Sequence, residues 1–283
     1  MDLPGKRIYT LNCKGRLLLV DRPVVMGILN ATPDSFYNQG RASGVQALLE
    51  EAGRMIEAGA VLLDIGGMST RPGAAEITPE EEEDRILPVI TLIRKEFDHI
   101  YLSVDTYRAN VASAAVAAGA DIVNDISSGE LDEGMLRTVA HLGVPYIAMH
   151  MQGTPRTMQL RPEYGDVVTE VLDYFIQKKE EAALAGIRDI IIDPGFGFGK
   201  NVLHNYTLLK NLHAFAMLDA PLLIGISRKS MIGRLLQVNP DEALNGTTIL
   251  NTLALQQGAS ILRVHDVKEA VQAIKVLEYM KNI

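Results

Sequence analysis

The chain has 283 residues, 47% of them apolar, and a mean hydropathy of +0.10, which excludes global disorder and suits one large barrel or two modest domains. Its formal net charge of −8 argues against general nucleic-acid binding, because such binding needs an electropositive face. The single cysteine, Cys13, excludes a disulfide framework and a cysteine-type zinc site within one chain and fits a reducing compartment.

The N-terminal segment predicts a β-hairpin. Residues 6–20 read KRIYTLNCKGRLLLV, with Lys14 and Gly15 at the turn. Pro4 and several charges interrupt the apolar stretch that a signal peptide needs, and no later apolar run is long enough to span a bilayer. We therefore expect a soluble, cytoplasmic protein without a membrane partner, and a hairpin that closes the bottom of the fold.

A loose repeat runs along the rest of the chain. Ala-rich helical patterns end at a glycine and are followed by an apolar run in IEAGAVLLDI, VAAGADIVND, AHLGVPYIAM, ALAGIRDIII and LQQGASILRV. These glycines occupy positions where a left-handed helix C-cap is expected, namely Gly59, Gly119, Gly143, Gly186 and Gly258. The runs after them lack clean alternation, which is typical of strands buried on both faces of a parallel sheet.

Eight strands alternating with helices follow from this pattern. The runs VVMGILN, IYLSVDT and LLIGIS complete the strands. Between two of them, Thr78, Pro79 and Glu81 predict a capped helix start, and the acidic run 80–84 is interpreted as its solvated first turn. The sequence predicts a single (β/α)₈ TIM-barrel domain over residues 1–283, with a doubly wound open sheet as the alternative.

Polar residues stand where each predicted strand ends. In strand order they are Asn30, Asp64, Asp105, Asn124 with Asp125, Met149 with His150, Asp193, Ser227 with Arg228 and Lys229, and Arg263 with His265. In such barrels the loops after the strand ends carry the chemistry, so we expect these side chains to converge on one site. The alternative is that they cap helices or form buried ion pairs that hold the rim together.

The residue types indicate a class of ligand. Asp105, Asn124 and Asp193 offer carboxylate and amide groups that suit a ring edge rich in N–H donors. Positive charge and donors suited to phosphate come from Lys229, Arg263 and His265, to which Arg71 and Lys200 could add. A planar nitrogen heterocycle that carries phosphate is therefore the expected substrate.

Two long glycine-containing loops follow the first two barrel strands. They read ATPDSFYNQGRASG and GGMSTRPGAAEITPE, and both exceed the usual length of such connections. Long loops in compact domains are often lids over a site, although irregular connections are the alternative. The GFGFGKN run lacks the spacing of a P-loop and of a dinucleotide fingerprint, and no HExxH motif supports a zinc hydrolase.

Several of these segments together resemble the dihydropteroate synthases, a family of pterin-binding TIM barrels. The segments are MGILNATPDSF, DIGGMSTRPGA, SVDT, VNDIS, MHMQGTP, DPGFGFGK, GISRKS and RVHDV, in order from Val25 to His265. The resemblance implies a transferase of folate biosynthesis and a sulfonamide target. It would join 6-hydroxymethyl-7,8-dihydropterin diphosphate to 4-aminobenzoate and release pyrophosphate and 7,8-dihydropteroate.

The resemblance also implies roles for individual residues. The pterin set comprises Asp105, Asn124, Met149, Asp193, Phe198 and Lys229. The diphosphate set comprises Asn30, Thr70, Arg71, Arg263 and His265, with Asn30 as ligand of the cofactor Mg²⁺. The 4-aminobenzoate set comprises Phe36, Ser69, Thr70, Arg71, Pro72 and Lys229. Catalysis is assigned to Asp105, Asp193, Lys229, Arg263 and His265.

An SN1-like mechanism fits the residues present. The carbon–oxygen bond to the diphosphate would break before the amine attacks, and the lack of an evident nucleophile–base pair agrees with this. The family resemblance further implies a homodimer. The competing interpretations are a pterin-dependent methyltransferase barrel with a corrinoid partner and a catalytically inactive pterin-binding protein.

Overall fold

The structure is a computed structural model that describes residues 7–31, 41–68, 76–158, 160–281 and 283. Its strands are β1 (Tyr9–Cys13), β2 (Arg16–Val20), β3 (Val24–Asn30), β4 (Leu62–Gly66), β5 (Tyr101–Asp105), β6 (Ile122–Asp125), β7 (Tyr146–Met149), β8 (Ile190–Asp193), β9 (Leu223–Ile224) and β10 (Ile261–Val264). Its α-helices are α1 (Arg41–Glu57), α2 (Pro79–Glu96), α3 (Ala109–Ala118), α4 (Met135–Leu142), α5 (Val167–Ala185), α6 (Val202–Lys210), α7 (Ser230–Leu236), α8 (Leu244–Gln256) and α9 (Val267–Lys281). Short 3₁₀ helices span Leu212–Leu218 and Pro240–Glu242.

The strands β3 to β10 form a parallel barrel, as the repeat predicted. Their order is β8-β7-β6-β5-β4-β3-β10-β9, and helices cover the outside between successive strands. The two ends of this order meet where Ile192 of β8 bridges to Leu222, and the Ile192 N–H donates to the Pro221 carbonyl at 2.9 Å. The (β/α)₈ prediction is confirmed over the described part of the chain, and the open sheet is excluded.

The seventh barrel strand is shorter than the sequence predicted. The run LLIGIS suggested a full strand over 222–227, but only Leu223 and Ile224 pair with β10. After them the chain leaves the sheet in a turn in which the N–H of Lys229 donates to the Ile226 carbonyl at 3.2 Å. The apolar run continues past the strand because Ile226 is buried in the core between the strands and the helices.

The core has two layers separated by the barrel wall. Inside the barrel, Met26, Leu62, Ile191 and Ile261 pack with the inner residues of the hairpin β1–β2. That hairpin is antiparallel and turns at Lys14 and Gly15, as predicted, and its buried Cys13 joins this inner layer. The outer layer lies between strands and helices. Because neighbouring residues of a strand face opposite layers, both faces are apolar, which explains the lack of alternation in the sequence.

Helix ends follow the local signals in the sequence. Thr78 accepts a hydrogen bond from the Glu81 N–H at 3.2 Å, and the Glu81 carboxylate accepts from the Thr78 N–H at 3.0 Å, so the predicted capping box is formed. The five predicted cap glycines all have positive φ. Among the described residues, no helix combines the length and the apolar character that a membrane span requires.

Candidate active site at the rim of the barrel

Strand periodicity explains why polar side chains meet inside the barrel rim. Successive residues of a strand alternate between the two faces, so residues two positions apart share a face. Leu62 of β4 and Ile191 of β8 belong to the inner core, and Asp64 and Asp193 lie two residues further on. The same step leads inward from Ile122 to Asn124, from Ile147 to Met149 and from Ile261 to Arg263. The inner face is therefore apolar at the bottom of the barrel and polar at the top.

Arg263 joins two carboxylates across the barrel. Its Nε donates to Asp64 Oδ2 and its Nη2 donates to Asp105 Oδ2, each at 2.6 Å. Asn124 Nδ2 donates to the same Asp64 oxygen at 2.9 Å. The Asn124 amide nitrogen is thus committed to Asp64, which leaves its oxygen as the group that can accept from a ligand. Asp64, at 0% exposure, thus holds the side chains of both Arg263 and Asn124.

A second group of charges surrounds Gly225. A Cβ atom at this position would lie 3.9 Å from both Asp193 Oδ2 and Lys229 Nζ and 4.0 Å from Arg263 Cβ. Asp193 Oδ1 accepts from the Gly195 N–H at 2.8 Å, and Lys229 Nζ donates to the Phe196 carbonyl. The absence of a side chain at Gly225 therefore leaves room among the three charged groups.

An apolar surface borders these charges. Met149 packs with Ile126, Met151 and Met158, and the rings of Tyr107 and Phe198 lie against this cluster. Lys229 Nζ lies 4.8 Å from the centre of the Phe198 ring, within the range of a cation–π contact. Apolar residues beside a small number of polar groups are the usual lining of a site for a flat ring.

His265 and Asn30 lie on neighbouring strand ends. His265 follows β10; its Nδ1 lies 3.0 Å from Ser227 Oγ, and its N–H donates to the same oxygen at 3.2 Å. Asn30 ends β3 and is exposed. Because β3 lies next to β10 in the barrel, both residues belong to the same side of the rim.

Burial and neighbouring charges shift the pKa values of the rim groups. Burial raises the pKa of Asp105 to about 7, with Arg263 counteracting and Asp64 adding to the effect. Burial also raises the pKa of Asp193, which Lys229 counteracts. The pKa of Lys229 is lowered to about 8 by burial, with Asp193 opposing this and Arg263 reinforcing it. Burial disfavours the charge on Arg263, but Asp64 and Asp105 outweigh it and raise the pKa of the guanidinium.

Three residues expected near the site have other tasks. Asp125 and His150 follow Asn124 and Met149 by one residue and so face away from the barrel interior; Asp125 accepts from the Tyr146 hydroxyl at 2.7 Å. Lys200 was expected to offer charge to phosphate. Its Nζ instead lies 2.8 Å from His150 Nδ1 and donates to the carbonyls of Gly195 and Phe198 at 3.0 Å. With 2% exposure and these partners, Lys200 supports the loop after β8.

The two long loops lie largely outside the described residues. The 4-aminobenzoate residues assigned to them share this position and are Phe36, Ser69, Thr70, Arg71 and Pro72. The remaining assigned residues, from Asn30 to His265, all lie on the rim that is described here.

Sequence reasoning did not identify two contacts that support the site. The Phe196 carbonyl holds Lys229, and the ion pair between Arg228 and Asp266 joins the loops after β9 and β10. A backbone carbonyl carries no residue-type signal, and the paired side chains lie far apart in sequence. Strand alternation would have separated Asn124 from Asp125, because it fixes which of two neighbouring residues faces inward.

The described residues do not form a metal cage of their own. No group of three His, Cys, Asp or Glu side chains suited to a metal ion occurs in the ranges given above. Asn30 supplies an oxygen donor at the rim, and Mg²⁺ bound with phosphate keeps several waters and needs only one or two protein ligands. An oxygen donor of this kind is compatible with a cation that a diphosphate would bring.

The chain is similar to known proteins over most of its length. A family model described as pterin binding enzyme matches residues 26–265. The dihydropteroate synthase of Escherichia coli strain K12 is 48% identical over 270 residues, which cover 95% of each chain. The solved structure of Xanthomonas albilineans dihydropteroate synthase with 4-aminobenzoic acid is similar, with a TM-score of 0.91, 43% identity, and coverage of 98% of this chain and 100% of that one. The complex of that organism's enzyme with 7,8-dihydropteroate has a TM-score of 0.88 and 41% identity, and covers 97% and 100% of the two chains.

Proposed function

We propose that the rim site performs the dihydropteroate synthase reaction with the residues described above, because the chain belongs to the dihydropteroate synthases, a family of pterin-binding enzymes. The chain is a transferase that condenses 6-hydroxymethyl-7,8-dihydropterin diphosphate with 4-aminobenzoate. The products are 7,8-dihydropteroate and pyrophosphate. The convergence of Asp193, Lys229 and Arg263 around Gly225 is the observation that carries the assignment of residues.

The pterin ring would occupy the space above Gly225. Asp193 would accept from ring N–H groups, since its carboxylate is held in place by the Gly195 N–H. The Asn124 amide oxygen offers a second acceptor, and Met149 and Phe198 provide the apolar contacts to the ring face. Lys229 would donate to an acceptor of the ring from its position over Phe198.

The leaving group would lie on the side of β10 and β3. Arg263 is fixed by two carboxylates, so its guanidinium is oriented before a ligand arrives and needs no reorganisation. His265, held by Ser227, and Asn30 are the other proposed contacts. We propose Asn30 as the protein ligand of Mg²⁺, which when bound neutralises charge on the departing diphosphate.

The proposed step is dissociative. The bond between the exocyclic methylene carbon and the bridging oxygen breaks, and its electron pair leaves with pyrophosphate. The electron-rich dihydropterin shares the positive charge left on carbon, and the Asp193 carboxylate stabilises it. The nitrogen of 4-aminobenzoate then forms the new bond, and its proton passes to water or to the departing pyrophosphate. No protein nucleophile is required, in accordance with the geometry at the rim, where Lys229 is committed to a carbonyl.

Positional isotope exchange tests this order of events. With ¹⁸O in the bridging position and no 4-aminobenzoate, reversible bond breaking should move the label into non-bridging positions of recovered substrate. Asp193→Asn should slow that exchange by about 100-fold or more, since it removes an electrostatic stabiliser of the cation. Exchange that is absent while the complete reaction proceeds at full rate would contradict the dissociative step.

The metal assignment has a separate test. Asn30→Ala should raise the Mg²⁺ concentration needed for pyrophosphate binding in a calorimetric titration and leave the affinity for 6-hydroxymethylpterin unchanged. An unchanged Mg²⁺ requirement would remove Asn30 from the proposal.

We also propose a cytoplasmic homodimer. Ile249 and Leu253 are four residues apart on α8 and are 50% and 44% exposed, and Val276 and Met280 of the adjacent α9 are 61% and 58% exposed. Residues four apart lie on the same helix face, so each pair forms an apolar ridge, and such ridges favour association with a second copy. Sedimentation equilibrium should give twice the chain mass, and Ile249→Lys should shift the monomer–dimer equilibrium to the monomer.

The proposed compartment rests on the cysteine. The buried thiol of Cys13 fits the reducing cytoplasm.

A further inference from the structure

Arg228 connects three segments behind the proposed site. Its Nε and Nη2 donate to the two carboxylate oxygens of Asp266 at 2.9 and 2.8 Å. Its Nη1 donates to the carbonyls of Pro240 and Asp241 at 2.8 and 3.0 Å. The backbone at Arg228 has φ of 54°, in the left-handed region, and its N–H donates to Thr247 Oγ1 at 3.0 Å. The left-handed backbone and these partners together hold the Arg228 side chain in place.

The ion pair between Arg228 and Asp266 lies next to a second contact between the same two loops. Ser227 bonds His265 through its hydroxyl, and the next residues on each loop, Arg228 and Asp266, form the bidentate ion pair. Two consecutive residues of the loop after β9 are thus joined in step to two consecutive residues after β10. A sliding of one loop against the other would have to break both contacts.

The two loop contacts lie next to residues of the site. Lys229 follows Arg228 directly, and His265 directly precedes Asp266. Lys229 Nζ lies near Asp193 beside Gly225, whereas Arg263 is bound to Asp64 and Asp105 on other strands. Contacts between Ser227 and His265 and between Arg228 and Asp266 therefore hold the loop of Lys229 against the loop of His265.

We propose that Arg228 and Asp266 are positioning residues that fix the position of Lys229 relative to His265. The ring-binding and diphosphate-binding parts of the site can then bind one substrate molecule at the same time. The inference rests on the proposed function, which places the ring near Lys229 and the diphosphate near His265. Neither Arg228 nor Asp266 touches the substrate in this arrangement. They increase the affinity for a ligand in which ring and diphosphate are joined, relative to the affinities for the two separate parts.

Calorimetry can measure that advantage with three probes. They are 6-hydroxymethylpterin, pyrophosphate with Mg²⁺, and a non-cleavable pterin diphosphate analogue in which a methylene group replaces the bridging oxygen. In Arg228→Met and in the isosteric Asp266→Asn, the joined analogue should bind about tenfold more weakly, whereas each separate part should bind as in the wild type. The double variant should lose no more than the worse single variant, since both act through one contact.

Arg94 provides a matched control at the opposite end of the barrel. It pairs with Asp121, donates to the carbonyls of Asp98 and Ile100 at 2.9 and 2.8 Å, and is as exposed as Arg228, with side-chain values of 21% and 24%. Arg94→Met should lower stability without changing the ratio of joined to separate affinities.

The outcomes separate the two proposals. If the wild type binds the joined analogue no better than its parts, the proposed function fails and the positioning role with it. A wild type that prefers the joined analogue, together with Arg228→Met and Asp266→Asn that keep this preference, would overturn the positioning role alone. Two other results would also overturn the positioning role. One is an equal loss of affinity for all three probes, and the other is the same loss of preference for the joined analogue in Arg94→Met. A general structural role would produce either result.

Discussion

Replacing Arg263 by Met should destabilise the protein in a pH-dependent manner. The change removes the cation that lies 2.6 Å from both Asp64 Oδ2 and Asp105 Oδ2 and leaves two buried carboxylates facing each other. Removing one partner of a buried ion pair costs about 3–5 kcal/mol, because the remaining charge is uncompensated. Methionine has a similar length, so the loss of packing is small compared with this electrostatic cost.

The pH dependence comes from Asp105. Burial raises its pKa from 3.8 to about 7 in the folded protein, so the folded state keeps a proton that the unfolded state releases. This group therefore stabilises the wild type less as the pH rises from about 4 to about 7, after which its contribution is constant. Arg263 holds that pKa down, so in Arg263→Met the loss continues above pH 7. One further pH unit of proton uptake corresponds to about 1.4 kcal/mol.

Urea unfolding at pH 5.5 and at pH 8 measures this difference. Circular dichroism is the suitable signal, since the chain contains no tryptophan. The loss of unfolding free energy in Arg263→Met should be larger at pH 8 by about 1.4 kcal/mol. The double variant Asp105→Asn/Arg263→Met should lack this extra loss, because its amide does not titrate. Equal losses at both pH values, or a double variant with the same pH dependence, would refute the reasoning.

Two further predictions concern the loop after β8 and its partner Lys229. Asp193→Asn removes the carboxylate that raises the pKa of Lys229, so the pKa of Lys229 should fall below about 8. The alkaline limb of the profile of kcat/KM against pH should then move to lower pH. An unchanged position of this limb would contradict the electrostatic coupling between the two residues. Gly195→Ala places a Cβ 1.8 Å from the His150 carbonyl oxygen, whereas Gly143→Ala, at a similar positive φ, meets no atom within 4 Å. In chemical denaturation, Gly143→Ala should cost about 1 kcal/mol and Gly195→Ala at least about 2 kcal/mol more, and equal costs would show that the loop after β8 relaxes.

The barrel and its inner polar rim were predictable because they depend on short-range patterns. Helix caps such as Gly119 and the strand runs are local signals, and parallel strands must end at one rim. Asp193 and Arg263 meet because each stands two residues after an inner core residue, which is a consequence of strand periodicity. The length of β9 was not predictable, since its apolar run serves both the ladder and the turn that follows.

Contacts between distant segments carry no such signal. Lys200 stands in a glycine-rich loop, as a phosphate-binding lysine often does, but its Nζ is bonded to the Gly195 and Phe198 carbonyls. Its direction is set by the fold of the loop and not by its own neighbours in sequence. The pair of Arg228 and Asp266 likewise depends on how two separate loops pack. The types of residues present indicate which chemistry is possible, and tertiary packing decides which individual residues of each type perform it.

The charge balance of the rim bears on how the diphosphate is accepted. The charges at the rim in the described ranges include three carboxylates, on Asp64, Asp105 and Asp193, and two cations, on Lys229 and Arg263. These groups alone carry a surplus of negative charge when all are ionised. With a pKa of about 7, Asp105 reduces this surplus by taking up a proton near neutral pH. A diphosphate adds further negative charge to this rim. We propose that a magnesium ion entering with the diphosphate offsets part of that charge, with Asn30 as the proposed oxygen donor on the protein side.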